Sequence, residues 1–315
     1  EKEVNIMKDL FALFCVRFAK RNSDVRKRGF LKWFIDVCEK AGFRTKLDES
    51  KVKGKKSRNL VVGSVKNADT VIITGYDTGN KILLPGYKYY PFNLKKDQRN
   101  EIYSLILQMV LSITLIIIFF FFVKGFLDRN IWLKIATVLG GAVIVFFIIL
   151  LSRGMANKYN FNKNTAALTI ATALVQEFGK EKDKSVAFIF ADNVSASFFG
   201  YIQIAEKYKL ELRNKKVLIL DCIMSNGEVY AAYTSQGKET ADILHEVHPG
   251  INMLDFQDEI EGVFNWLPQG VVLTSGTKLG DKEIAVSGTR SRHDCAPDFN
   301  RLDAIYEITH DFIKK

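Results

Sequence analysis

The sequence predicts an α/β fold, a mostly parallel central sheet flanked by helices and interrupted by a two-helix transmembrane hairpin. Three observations predict it. Residues 185–191 and 216–220 are short continuous apolar runs, as strands buried on both faces should be. The stretches between such runs carry apolar residues at helical spacing, so strands and helices alternate. Two longer apolar runs, 102–123 and 131–151, are each about 20 residues, enough for a helix to cross a ~30 Å hydrocarbon core.

From the start of the chain, residues 3–20 are amphipathic and predict a helix. Ser23 and Asp24 cap a second helix that runs to Ala41 and stops at Gly42, with Phe30, Trp33, Phe34 and Val37 at helical spacing. Residues 51–57 read as a polar basic loop. Strands are predicted at 59–65 and 70–74, joined by the turn Lys66-Asn67-Ala68-Asp69. Beyond the long apolar runs, helices are predicted at 165–179, 197–208, 239–247 and 302–313. Strands alternate with them at 185–191, 216–220, 229–234, 271–274 and 284–287. Residues 1-100 and 153-315 are thus two parts of one domain, and 101-152 is an insertion.

No charge falls between Ile102 and Val123. The second run holds only Lys134, near its start, where it can snorkel to the interface. Both runs are apolar on all faces, unlike the one-sided stripe of a surface helix. The run Phe119-Phe120-Phe121-Phe122 does not suit a soluble core. A short break, Lys124-Gly125-Phe126-Leu127-Asp128-Arg129-Asn130, turns the chain back, so both flanks lie on one side. Lys95, Lys96 and Arg99 before the hairpin and Arg153, Lys158 and Lys163 after it outweigh the charges of the turn. That excess predicts a two-span cell-membrane protein with its globular domain in the cytoplasm.

The net charge of +10 includes the clusters Arg26-Lys27-Arg28 and 51–56. A basic face beside a bilayer suits anionic lipid. Nucleic acid is not an expected partner, because the charge is scattered and no nucleic-acid motif accompanies it. Cys15, Cys38, Cys222 and Cys295 have no paired spacing and predict buried, reduced thiols. The opening Glu1-Lys2-Glu3 shows no signal peptide.

In open α/β sheets, sites form beyond the carboxyl ends of strands. Here those ends read Thr74-Gly75-Tyr76-Asp77-Thr78, Ala191-Asp192-Asn193 and Leu220-Asp221-Cys222, and His293-Asp294-Cys295 supplies an imidazole. Asp221 also reads as a strand end and His293 as a surface histidine. His245 and His248 share one helical face, as a metal pair or as a solvated helix end before Pro249-Gly250. Asn193-Val194-Ser195 spells a glycosylation sequon, which has no role in a cytoplasmic domain. Ser195 and Ser197 lack the Gly-x-Ser-x-Gly elbow of a serine hydrolase.

In this order the chain resembles the co-catalytic di-zinc aminopeptidases, the fold shared by bacterial leucyl aminopeptidases, glutamate carboxypeptidase and the transferrin receptor. The resemblance runs from about Ser23 to the C-terminus, excluding the hairpin. Val71-Ile72-Ile73-Thr74-Gly75-Tyr76-Asp77 resembles the strand and H-x-D motif. Asn162-Lys163-Asn164-Thr165-Ala166-Ala167 sits where the family has D-D-N-A-S-G, and 185–200 is similar to the strand and E-E-x-G segment. Leu220-Asp221 matches the L-D motif, and His293 through Leu302-Asp303 the closing pattern.

The resemblance implies two zinc ions sharing a bridging carboxylate, with a Glu as general base. The first His falls on Gly75; Asp77, which would orient it, is present. The bridging Asp falls on Lys163 or, with a one-residue shift, Asn162. The general base and its neighbouring ligand fall on Val194 and Ser195, while Asp221 and His293 are retained as metal ligands. The expectation is therefore a membrane-anchored pseudo-peptidase, a non-catalytic binding or scaffold component with no resident cofactor. Its remnant cleft comprises Asp77, Lys163, Asp192, Ser195, Asp221 and His293. One alternative is an active metallo-aminopeptidase with a rearranged or single-zinc site at Asp221, His293 and Asp192. Another is a structural subunit of a membrane complex. Expected partners are membrane lipid and a membrane protein or peptide. Because the hairpin enters between Asp77 and Asn162, the cleft is expected to face the bilayer, with Tyr87, Tyr89, Tyr90 and Phe92, together with Tyr159 and Phe161, at the interface.

Overall fold

Helix α1 (Lys2–Val16) and helix α2 (Asp24–Lys40) meet through aromatic side chains. Phe14 packs against Phe30 at 6.1 Å and Phe34 against Phe190 at 4.6 Å, ring centre to ring centre. The apolar spacing of α2 buries Phe30, Phe34 and Cys38 on one face. Ser23 caps α2 through its backbone carbonyl, not its hydroxyl. Gly42, with φ +99°, turns the chain out of the helix, a conformation open to glycine. The computed structural model describes residues 2–52, 55–128 and 130–315 of the chain. Lys53 and Gly54 of the basic run and Arg129 of the hairpin turn lie outside the described residues.

The basic loop expected at 51–57 is instead the tip of an antiparallel pair, β1 (Thr45–Val52) and β2 (Lys55–Val62). β1 is an edge strand, and its charges are what a solvated edge carries. Strand β3 (Thr70–Gly75) follows, then the two-residue β4 (Lys88–Tyr89). Helices α3 (Leu94–Val123) and α4 (Ile131–Arg153) form the hairpin. A π-helical turn, Phe161–Thr165, leads into α5 (Ala166–Glu181). The chain continues through β5 (Val186–Ala191), α6 (Phe199–Leu212), β6 (Lys216–Leu220) and β7 (Glu228–Tyr233). It ends with α7 (Lys238–Val247), β8 (Asn252–Asp255), β9 (Gly270–Gly280), β10 (Glu283–Ser287) and α8 (Phe299–Lys314).

The strands form one sheet in the order β1-β2-β5-β3-β6-β9-β10-β4, with β7 paired to β9 and β8. The sheet is mixed, not mostly parallel as the sequence suggests. The central strands β5, β3, β6 and β9 are parallel. β1–β2, β2–β5, β7–β9, β9–β10 and β10–β4 are antiparallel. Continuous apolar runs mark burial on both faces, which holds for the central strands, but they carry no direction. One face is covered by α1, α2, α5, α7 and α8. The other is covered by α6 together with Phe92, Phe256 and Phe264.

Helices α3 and α4 are both long and apolar enough to cross a membrane, and the rest of the protein leaves their apolar surface open. They pack on each other where glycine removes a side chain, Gly140 against Phe122 and Gly141 against Phe119. The base of the hairpin is fastened to the sheet. Lys96 pairs with Glu283 at 2.6 Å, Arg290 pairs with Glu101, and Asn80 bridges Ala156 between the two connectors. Three of the four aromatic residues expected at an interface in the first connector do not lie at one; Tyr90 is half-buried. Tyr87, Tyr89 and Phe92 are buried in the globular domain, because their rings meet the sheet before the helix leaves it. The cysteines are free, but Cys295 is exposed and Cys15 half-buried, so only Cys38 and Cys222 match the expected burial.

Candidate functional site

The parallel register aligns Gly75 with Ala191 and Thr74 with Leu220. Asp77, Asp192 and Asp221 therefore emerge one or two residues past the same edge, and all three are buried. Each carboxylate is held by groups from this chain. Asp77 accepts hydrogen bonds from the backbone N–H of Val194 at 3.0 Å and of Ser195 at 3.3 Å. Asp192 is ion-paired with Lys27 of α2 at 2.5 Å and accepts from the Arg58 N–H at 3.1 Å. Burial pushes the Asp192 carboxyl up, against the opposing pull of Lys27. Asp221 is paired with Lys163 at 2.7 and 3.0 Å and accepts from the Tyr89 hydroxyl at 2.8 Å.

Lys163 projects from the π-helical turn before α5 and is 2 % exposed. Its ammonium lies 3.6 Å from the centre of the Tyr89 ring, a cation–π contact in a desolvated setting. Burial is the largest influence and works against the charged form, but Asp221, Cys222 and Asp97 together outweigh it and hold the lysine above its ordinary pKa. Burial and the neighbouring Asp221 push the Tyr89 phenol well above its usual range, so it stays a donor. The turn itself is gripped by Asp294, which accepts from the N–H of Asn162 at 2.7 Å and of Lys163 at 3.4 Å. Burial raises the Asp294 carboxyl to about 7 despite those hydrogen bonds.

The remaining residues fill the space between the carboxylates. Asn164 donates to the Asp77 carbonyl at 2.5 Å and to Ser195 Oγ at 2.7 Å, and Ser195 Oγ donates to the same carbonyl at 2.9 Å. Arg21, fully buried, donates to the carbonyls of Tyr76 and Phe18, each at 2.5 Å. Burial lowers its pKa to about 10, with Asp77 opposing.

These residues do not fit a pair of zinc ions. A side chain at Gly75 would collide with Val194 and stand 2.9 Å from Asn164 Oδ1, so packing already occupies the position that the resemblance gives to the first ligand. At the position that the resemblance gives to the bridging carboxylate stands the Lys163 ammonium, 2.7 Å from Asp221, which repels a cation. His293 is exposed, because the backbone phase of its loop turns the neighbouring Asp294 inward instead. Among the described residues no three His, Cys, Asp or Glu side chains are grouped to hold a metal ion. His245 is exposed, while His248 turns toward Asp311 at 3.5 Å, so the helical pair does not converge. No step through a metal follows from this arrangement.

The structure thus brings Asp77, Lys163, Asp192, Ser195 and Asp221 to one edge and leaves His293 outside. Sequence reasoning missed Lys27, Tyr89, Asn164 and Asp294. Asp294 is adjacent to His293 and was open to reading; Tyr89 reaches Asp221 across 132 positions, which no local pattern encodes.

No family model matches the sequence, and no curated protein does either. Solved structures do. Porphyromonas gingivalis glutaminyl cyclase matches with a TM-score of 0.60 at 10% identity, over 99% of this chain and 96% of that one. A Zn-dependent exopeptidase from Parabacteroides distasonis matches at 0.59 and 9% identity, over 99% and 96%. A leucine aminopeptidase precursor from Bacteroides thetaiotaomicron matches at 0.56 and 10% identity, over 99% and 95%. The chain has the fold of the zinc-dependent exopeptidases and glutaminyl cyclases.

Proposed function

We propose that the protein is a membrane-anchored pseudo-peptidase, which keeps the exopeptidase fold as a binding or scaffolding component and carries out no metal-dependent hydrolysis. The observation that carries this reading is the buried Lys163–Asp221 ion pair, 2.7 Å long, at the position that the resemblance gives to the metal-bridging carboxylate. A fixed ammonium there supplies the positive charge that a metal would otherwise bring and leaves no oxygen free to activate water. The α3–α4 hairpin supports anchoring in a bilayer, with the globular domain cytoplasmic and a membrane protein or peptide as partner. Nucleic acid is not part of the reading.

The test is metal content and turnover on the full chain in lipid nanodiscs. After dialysis against excess zinc and then buffer, the protein is expected to retain no tightly held zinc. It is expected to turn over neither amino-acyl reporters nor glutaminyl peptides. Two tightly held zinc ions together with turnover would overturn the reading.

A further inference from the structure

A second concavity opens at the opposite end of the sheet. It measures about 1060 Å³ and is bordered by the residues just before β3 and at the start of β5. Asp77 and Asp192 lie beyond the other ends of these strands, Asp221 lies beyond the same end of the neighbouring β6, and the hairpin base is at that end too. The walls are the last turns of α2 and α5, which approach closely because Gly179 leaves room for the Ala41 carbonyl. The floor is apolar, with Val37, Phe43 and Val186.

The rim is cationic. Arg44, Lys180, Lys182 and Lys184 line it, all exposed, and none is ion-paired among the described residues. Lys40 joins them but is tied to Asp36 at 2.7 Å. Two effects oppose this charge. Asp183 stands on the same rim, and the carboxyl ends of α2 and α5 each contribute about half a negative charge. Together these amount to about two negative charges, fewer than the unpaired cations. Complementing helix ends accounts for Lys180 and Lys182. It does not account for Arg44 or Lys184, which lie outside both helices.

From this geometry we infer that the cleft binds a small organic polyanion, an apolar or aromatic body bearing phosphate groups, of the class of the nucleoside polyphosphates. The volume is that of a small-ligand site, for which ~300–1,000 Å³ is usual. The floor takes the organic body, and the rim takes the phosphates through charge-assisted hydrogen bonds. The site is independent of the proposed loss of metal chemistry and faces away from the membrane end.

The experiment is isothermal titration of the full chain in nanodiscs with ATP, adenosine and pyrophosphate as probes. Saturable ATP binding is expected, with pyrophosphate weaker and adenosine silent. Arg44→Glu and Lys184→Glu should each weaken ATP binding about tenfold or more, the size of a lost hydrogen bond to a charged group. Both side chains are exposed, so the melting temperature without ligand should not change. Absence of saturable ATP binding at millimolar concentration overturns the inference. So does wild-type affinity in both charge-reversal variants, and pyrophosphate binding as tightly as ATP removes the organic body from it.

Discussion

The Lys163 ammonium sits 2.7 and 3.0 Å from the two carboxylate oxygens of Asp221, with both side chains under a tenth exposed. Removing one partner of a buried pair strands the other charge, at a cost of about 3–5 kcal/mol. Lys163→Met should therefore lower stability by roughly that amount. The double variant with Asp221→Asn should recover a clear part of the loss. Denaturant unfolding of the full chain in detergent micelles checks both. A wild-type midpoint for Lys163→Met would show that the pair contributes nothing.

Tyr89→Phe should be milder. The ring stays beneath Lys163, while the donor to Asp221 is lost. Because Asp221 keeps its lysine, the cost should fall near the low end for hydrogen bonds to charged groups, about 1.5 kcal/mol. The same unfolding assay reads it, and a loss as large as that of Lys163→Met would mean that the hydroxyl, not the ammonium, holds the carboxylate.

Asp294 makes stability depend on pH. Its carboxyl is raised to about 7 in the folded protein, against about 4 in the unfolded chain. Between those values the folded state holds a proton that the unfolded state has lost. Stability from this group is therefore complete below about pH 4 and declines as pH rises through 7, by at most roughly 1.4 kcal/mol per unit. Asp294→Asn should flatten the wild-type slope between pH 5 and 8 in denaturant titrations. An unchanged slope would show that Asp294 is ionised throughout.

The orientation of the hairpin is open to thiol labelling. Asn130 in the turn and Asn226 in the globular domain are both exposed. On intact cells an impermeant reagent should modify Asn130→Cys and spare Asn226→Cys, once the native cysteines are replaced. Labelling at Asn226→Cys alone would invert the topology.

The central strands and most helices were legible because burial on two faces leaves an unbroken apolar run and burial on one leaves a helical stripe. Lys216–Leu220 is where the sequence puts a strand, and α7 begins one residue from its expected start. β1 was not legible, since Thr45-Lys46-Leu47-Asp48-Glu49-Ser50-Lys51-Val52 has the composition of a loop and owes its extension to pairing with β2. β4 consists of two residues fixed by contact with β10, too short for any periodicity. At the site, the strand-end rule located Asp77, Asp192 and Asp221. It could not say whether His293 or Asp294 turns inward, because neighbouring residues exchange faces with a single change of backbone phase. Nor could it find Lys27, one basic residue in the run Arg26-Lys27-Arg28, whose partner Asp192 lies far along the chain.

The strand order has a consequence for synthesis on the ribosome. β2 has β1 and β5 as neighbours, and β3 has β5 and β6. Of the strands made before the hairpin, only β1 and β2 can pair with each other; β3 and β4 wait for partners encoded after it. The apolar helices α3 and α4 leave the ribosome before β5, so under the proposed membrane anchoring their insertion into a bilayer precedes closure of the sheet. The globular domain is then assembled from two halves tethered through the hairpin, and the Asn80–Ala156 bridge between the connectors marks where those halves are brought into register. Nascent chains cut off before β5 should accordingly be held at the membrane yet remain open to protease on the ribosome's side.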